Sequence, residues 1–170
     1  MEPHMKIANH KYYSRHAKYA GITEADLELC IRSYDNDAVV RIELFNRQFG
    51  SQWLQSEKLF YSWDLALQTE TVHTFGRKTI QCVQRGHLYD IVMNEVIENL
   101  DVKYMLIMRT KGGMFDRKPI IPLFNALSPS FECLQHIHRI LHGHSLQNEN
   151  SSLGETNQDF SISKPSSAAS

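Results

Sequence analysis

Alternation of apolar and polar residues along two stretches of the chain constrains the fold most. Val40, Ile42 and Leu44 alternate with charged residues, and this period of two is typical of a strand with one face in the core. A second alternation runs from Leu59 to Leu67, with mostly polar residues between the apolar ones. Strands with one wetted face favour antiparallel pairing over a buried parallel sheet.

Further strands are predicted in the second half of the chain. Residues rich in Thr, Val and Ile flank Gly76 and predict a hairpin there. Residues 102–108 are almost wholly apolar, which predicts a central strand, and Gly112-Gly113 supplies a reversal after it. Pro119 and Pro122 restrict the next extended segment to a sheet edge, because proline cannot donate a ladder hydrogen bond.

Helical patterns interrupt these strands in three places. Acidic residues follow Thr23 as in a capped first turn, so residues 24–33 are predicted to form a short helix. Apolar residues recur at helical spacing over residues 87–99 and predict a second helix. Ser128 and Pro129 are predicted to open the last helix, as its cap and first residue.

Strands in a run with a few intervening helices predict an α+β fold. We expect an antiparallel sheet of about four strands with two or three helices packed on it, forming a single domain over residues 21–144. Residues 1–20 alternate basic and aromatic groups, which predicts a flexible arm. Residues 145–170 are rich in Ser, Asn, Gln and Glu, which predicts a disordered tail.

Composition and charge exclude several classes of protein. The formal net charge of −1 argues against non-specific coating of nucleic acid, which depends on a large excess of Lys and Arg. No apolar run approaches the roughly 18 residues of a membrane-spanning helix. Cys30, Cys82 and Cys133 lie far apart, without a CxxC pair or a secretory signal. We therefore expect a cytoplasmic, reducing location, no transmembrane segment and buried thiols.

Four histidines near the end of the last predicted helix are the strongest candidates for a metal site. His138 and His142 lie one turn apart and can reach one ion, with His136 or His144 as a third ligand. The same helix needs its apolar residues for packing, and histidines near a helix C-terminus also interact favourably with the helix dipole. We therefore expect no metal ion and no cofactor.

His87 and Asp90 are the strongest candidates for catalysis. A carboxylate near a histidine can orient the imidazole for acid–base chemistry. Cys82 is the nearest nucleophile in sequence, and isolated cysteines among apolar residues are usually inert. We therefore do not expect an enzyme, and an enzyme with a histidine-based site stays an alternative.

Basic and aromatic residues of the arm, together with basic residues around the Gly112-Gly113 turn, form the predicted binding surface. Such residues can contact protein partners, an anionic membrane surface through charge, or RNA through charge and stacking. The predicted anion-binding or partner-binding residues are Lys11, Tyr12, Arg15, Lys18, Arg109, Lys111, Arg117 and Lys118.

Exposed apolar residues complete the functional prediction. Phe60 is predicted to face water from its strand, and Met114 and Phe115 follow the glycine turn, so these three are predicted to mediate self-association. The chain is thus predicted to be a non-enzymatic structural or interaction protein that self-associates and contacts partners or an anionic surface. This plan would suit a small viral matrix-type or accessory protein, an analogy of architecture alone. A sequence-tolerant RNA-binding protein that uses the arm is the other alternative.

Overall fold

The computed structural model describes residues 5–15, 17, 24–34, 38–47, 54–73, 76–98, 100–113 and 119–153. Within these residues the chain forms nine β-strands and one long α-helix. The strands are β1 (Lys6–Tyr12), β2 (Leu27–Tyr34), β3 (Val39–Asn46), β4 (Leu54–Ser62), β5 (Ala66–His73), β6 (Lys78–Gln84), β7 (Leu88–Glu98), β8 (Asp101–Thr110) and β9 (Ile120–Leu123), and the helix is α1 (Phe131–Leu153).

The strands form two antiparallel sheets, each in sequence order. Strands β1 to β6 form a six-stranded sheet, called the large sheet below, and β7 to β9 form a three-stranded sheet, called the small sheet. A short 3-10 turn over Arg85–His87 leads from β6 into β7. Because each strand pairs with its neighbour in sequence, both sheets are built from hairpins.

Side-chain alternation explains why the large sheet has one buried face. In β3, Val40, Ile42 and Leu44 are buried. Ile42 lies opposite Ile31 of β2 and Leu59 of β4, so one apolar row crosses three strands. Each such side chain contributes about 1.5–3 kcal/mol when it leaves water. The alternate row of side chains faces outward.

Helix α1 connects the two sheets through one continuous core. Its residues Leu134, Ile137 and Leu141 are buried and belong to the same apolar cluster as the inner face of the large sheet and the residues of β8 and β9. The Phe131 ring lies 4.4 Å from the ring of Tyr104 in β8, between centroids. The helix therefore packs on the small sheet while it shares the core of the large one.

The predicted α+β fold with about four strands and two or three helices is wrong, since the described residues form nine strands and one long helix. The segment predicted as a helix over 24–33 contains β2, and the one over 87–99 contains β7. In β2, Leu27, Leu29 and Ile31 are all buried, which is the period of a strand. Pairing with β1 and β3 outweighs the local capping signal.

Several strand predictions are confirmed. β3 forms where the alternation placed it, Gly76 lies in the β5–β6 turn with a φ of 74°, and β8 is the central strand of the small sheet. β9 is an edge strand, as its proline requires. The single strand expected from Leu59 to Leu67 is wrong, because a turn separates β4 from β5.

The chain ends and the cysteines also differ in part from expectation. β1 lies within the predicted arm, and α1 starts at Phe131 and continues past the expected end of the domain to Leu153. Residues 154–170 of the predicted tail lie outside the described residues. Cys30 and Cys133 are buried as expected, and burial raises the pKa of the Cys133 thiol to about 12. The expected burial of Cys82 is wrong, because this side chain is exposed.

Among the described residues, none of the helical structure combines the length and apolar character needed to cross a bilayer.

Candidate binding groove

A groove of about 600 Å³ opens between the start of the small sheet and helix α1. Residues 88–93 of β7 form one wall, and His138, Leu141 and His142 contribute the other. Tyr61 of the large sheet, only 3% exposed, lines the groove from the core side. A concave site with mainly apolar walls and a few convergent polar groups is typical of a binding site.

Arg85 supplies a positive charge to this groove. Its side chain lines the groove, and the guanidinium carbon lies 4.4 Å from the ring centroid of Trp63. Its backbone N–H donates to the carbonyl of Leu65 over 2.8 Å, which fixes the start of the 3-10 turn. Arg85 forms no ion pair with another described residue. The groove therefore contains a cation that is stacked on an aromatic ring and open to an anionic ligand.

Asp90 and Arg109 form a paired charge beside that cation. They lie opposite each other on β7 and β8. The Arg109 Nε donates to Asp90 Oδ1 over 2.6 Å, and its Nη2 donates to Oδ2. These hydrogen bonds lower the pKa of Asp90. The guanidinium carbon of Arg109 also lies 5.0 Å from the ring centroid of Tyr89. The positive charge of this predicted anion-binding residue is therefore balanced by a carboxylate.

His87 is not oriented by Asp90, although both are close in sequence. The carbonyl of His87 accepts a hydrogen bond from the backbone N–H of Lys111, and its ring lies beside Gly112, 3.4 Å from the place where a Cβ would stand. Gly112 has a φ of 92°, a conformation that glycine adopts without strain. The His87 ring thus packs beside Gly112, just after β8. The Asp90 carboxylate is instead bound by Arg109.

His138 and His142 both line the groove, as their one-turn spacing predicts. Their ring centroids are 5.7 Å apart and the rings meet edge to face. Within the part of the chain that the structure describes, no group of three His, Cys, Asp or Glu residues could hold a metal ion. The side chain of His144 lies outside that part.

His136 faces another direction and packs α1 against β1. The hydroxyl of Tyr12 lies 2.6 Å from His136 Nδ1, and the His10 ring is 4.6 Å away between centroids. Burial, together with the charges of His10 and Arg139, lowers the pKa of His136. Tyr12, a predicted contact residue, is therefore part of the joint between helix and sheet.

The structure separates the predicted basic arm from the predicted basic turn. Arg15 forms an ion pair with Asp101 at the start of β8, whereas Arg109 lies eight positions further along that strand. The eight positions from Asp101 to Arg109 correspond to about 27 Å at the usual rise per residue of a strand. Lys11 is exposed on β1, and Lys111 is exposed after β8. The other predicted contact residues, Lys18, Met114, Phe115, Arg117 and Lys118, lie outside the described residues.

The outer face of the large sheet carries a network of paired charges centred on Glu43. Its side chain is only 5% exposed, and its carboxylate accepts hydrogen bonds from Arg32 and from Arg41, the latter over 2.7 Å. The ammonium of Lys58 lies 3.6 Å away. Although burial raises the pKa of Glu43, the hydrogen bonds and charges of both arginines hold it below its usual value. The Glu43 carboxylate thus holds three cations together across three strands.

The network continues toward β6 and surrounds Phe60. Glu70 lies between Lys58 and Lys78, with N–O distances of 3.7 and 3.3 Å. Phe60 is 44% exposed on this face, opposite Arg41 in the register. Its exposed position is confirmed, whereas its role in self-association stays a prediction.

A second apolar surface, at the tip of the β7–β8 hairpin, was not predicted. Ile97 and Val102 lie opposite each other, 78% and 44% exposed, and Leu100 between the strands is fully exposed. Leu100 has a φ of 65°, in the left-handed region. The helix predicted over 87–99 hid this hairpin, and a turn between two extended runs is the signal that would have indicated it.

Comparison with protein-family models, with curated proteins and with solved structures finds no match.

Proposed function

We propose that the protein is a non-enzymatic interaction protein whose groove binds an apolar segment that carries a carboxylate. The observation that carries this proposal is Arg85, which lines a groove with apolar walls, stacks on Trp63 and has no ion pair with another described residue. Arginine and aromatic residues in partly desolvated sites contribute most of the binding energy of many interfaces.

The apolar lining residues and Arg85 contribute differently to the proposed binding. Apolar surface in the groove comes from the partly exposed Ile91, Val92 and Met93, and it favours burial of aliphatic side chains. The Arg85 guanidinium can donate two parallel hydrogen bonds to a carboxylate, and its stacking on Trp63 restricts its orientation. An apolar segment with one acidic group therefore fits this groove better than a neutral or basic segment.

The pairing of Asp90 with Arg109 argues against the specific acid–base pair of His87 with Asp90. A catalytic histidine needs a carboxylate or carbonyl that orients it toward the reacting group. The Asp90 carboxylate instead accepts both of its hydrogen bonds from Arg109. His138 and His142 present their rings edge to face and serve the proposed site as polar walls.

Binding of anilinonaphthalene sulfonate, an apolar dye with one anionic group, tests the proposal by fluorescence titration. We expect Arg85→Gln to weaken dye binding about tenfold, which corresponds to about 1.4 kcal/mol. Arg77→Gln is the matched control, because Arg77 is exposed and does not line the groove. Equal affinity for both variants would overturn the proposal, provided circular dichroism shows both to be folded.

A further inference from the structure

The hairpin tip exposes a residue in a conformation that does not suit it. Leucine rarely adopts a positive φ, because its Cβ then approaches the following carbonyl oxygen. Leu100 is nonetheless both fully exposed and at a φ of 65°, next to the exposed pair of Ile97 and Val102. The free protein gains no burial from the Leu100 side chain and little from that of Ile97. Exposed apolar side chains grouped at a strained turn suit a contact with a partner.

The base of this tip is held in place by the rest of the fold. Arg15 forms an ion pair with Asp101, the first residue of β8. Tyr104, three positions further along, packs on Phe131 of α1. A preformed tip binds with a smaller loss of conformational entropy than a flexible loop does.

The tip and the groove carry side chains of opposite charge. Glu95 is exposed, lies on the same face of β7 as Ile97, and forms no ion pair with another described residue. It stands about 10 Å from the turn at the usual rise of a strand. The tip thus has apolar side chains at its end and a carboxylate behind them, and the groove has apolar walls and the half-exposed Arg85.

Tip and groove lie at opposite ends of the same hairpin. The groove lining extends along β7 to Met93 and the tip begins at Ile97, so about 13 Å of strand separates the two. A paired hairpin cannot fold back by that distance to fill its own groove. A contact between these two surfaces must therefore join two copies.

We propose that the groove binds the β7–β8 hairpin tip of a second copy of this chain, with Glu95 of one copy opposite Arg85 of the next. The proposal rests on the groove function proposed above and names its partner. Because the contact joins two different surfaces, its repetition generates a ring or a filament, and two reciprocal contacts close a dimer.

Two complementary variants test this assembly by sedimentation velocity over a range of protein concentrations. Leu100→Asn removes the apolar tip with a residue that tolerates a positive φ, and Arg85→Glu places a carboxylate opposite Glu95. We expect the unchanged protein to assemble as its concentration rises. Each variant alone should stay monomeric where the unchanged protein assembles, with a dissociation constant at least about tenfold higher.

The equimolar mixture of the two variants gives the sharpest result. The Leu100→Asn copy keeps its groove and the Arg85→Glu copy keeps its tip, so one contact remains per pair. The mixture should form a dimer that does not grow further. Ile80→Asn and Arg77→Glu are the matched controls, since they change an exposed isoleucine and an exposed arginine elsewhere. Both controls should assemble like the unchanged protein.

Three results would overturn the inference: an unchanged protein that is monomeric at every concentration, variants that assemble unaltered, or a mixture that does not associate. The dye titration separates this failure from that of the proposed function. Dye binding that depends on Arg85, in a protein that stays monomeric, leaves the groove function intact and assigns it to another acidic, apolar partner.

Discussion

The two sheets differ in how they treat their solvent-facing side chains. On the large sheet, Glu43 and Glu70 are each surrounded by cations from neighbouring strands. On the small sheet, Glu95 has no ion pair with another described residue, and the apolar pair of Ile97 and Val102 is exposed. The carboxylates Glu43 and Glu70 thus have cations on their own sheet, whereas the small sheet has the Asp90–Arg109 pair and leaves Glu95 and the apolar pair open to a partner.

The distribution of exposed apolar residues follows the same division. Ile7, Phe60 and Ile80 of the large sheet lie on three different strands, β1, β4 and β6. Single exposed apolar residues of this kind are normal on a soluble surface. Ile97, Leu100 and Val102 instead lie within six residues of one another at the end of one hairpin. We therefore assign the scaffold role to the large sheet and the contact role to the small one.

The largest effect on stability is expected from Glu43→Gln. Loss of this carboxylate leaves Arg32 and Arg41 close together without a counter-charge, and leaves Lys58 with Glu70 alone. Because these cations are partly exposed, we expect a loss of about 2 kcal/mol in the free energy of unfolding, below the range for fully buried pairs. Urea denaturation measures this loss. Glu95→Gln is the control on the small sheet, and its unfolding free energy should be unchanged.

The same variant has a defined pH dependence. Since the folded-state pKa of Glu43 is lowered, its contribution is present above the usual carboxyl pKa and is lost as pH falls through the lowered value. The difference between Glu43→Gln and the unchanged protein should therefore shrink in acid. A difference that does not depend on pH would contradict the role of the paired charge.

Glu57 should show the opposite pH dependence, with a smaller effect. Its side chain points into the core of the large sheet and accepts hydrogen bonds from the backbone N–H groups of Leu127 and Ala126. Burial raises its pKa despite these bonds. The raised value means that the fold loses stability as pH rises from the usual carboxyl pKa through the raised one.

Glu57→Gln should remove this loss, so that the variant becomes more stable relative to the unchanged protein as pH increases. Thermal unfolding in a series of buffers measures the trend. A variant whose relative stability falls with increasing pH would show that the ionised Glu57 is favoured in the fold, against our account.

Leu100→Asn should raise the stability of the monomer slightly while it abolishes assembly. Asparagine adopts a positive φ more readily than leucine, so we expect a gain of about 0.5 kcal/mol in the free energy of unfolding at low protein concentration. A substitution that stabilises the monomer but abolishes assembly is typical of a residue whose role is contact with a partner. A less stable monomer would mean that Leu100 packs within its own chain.

The smallest effect is expected from Phe60→Thr on the large sheet. Threonine suits a strand and removes the exposed ring, so stability should change by about 0.5 kcal/mol or less. Assembly should be unchanged in the same sedimentation experiment. Loss of assembly in this variant would transfer the contact from the small sheet to the large one and support the role that sequence assigned to Phe60.

Local sequence patterns predicted those parts of the fold that depend on local signals. The alternation in β3, the glycine turn at Gly76 and the proline-limited edge strand β9 all follow from a few neighbouring residues. The segments 24–33 and 87–99 have apolar residues at spacings that fit a helix or a strand with two partly covered faces. Pairing with strands distant in sequence decides between the two, and no local pattern contains that information.

The candidate site also contains some residues that local sequence singled out and others that only the fold brings together. Residue type and spacing singled out His138 and His142 as metal candidates and Arg109 as an anion contact. In the structure the two histidines line the groove and Arg109 is paired with Asp90. The stacking of Arg85 on Trp63 brings together residues from separate turns. The positive φ of Leu100 follows from hairpin geometry. Both features depend on the assembled fold, so sequence alone could not indicate them.

Hydroxyl-radical footprinting of the full chain at low and high protein concentration tests the division between the sheets most directly. Leu100 and Ile97 at the tip, and Tyr89 and Met93 at the groove, should lose reactivity together as concentration rises, while Phe60 and Ile80 keep theirs. Protection of Phe60 and Ile80, with the tip and groove unchanged, would contradict the account and place the contact on the large sheet.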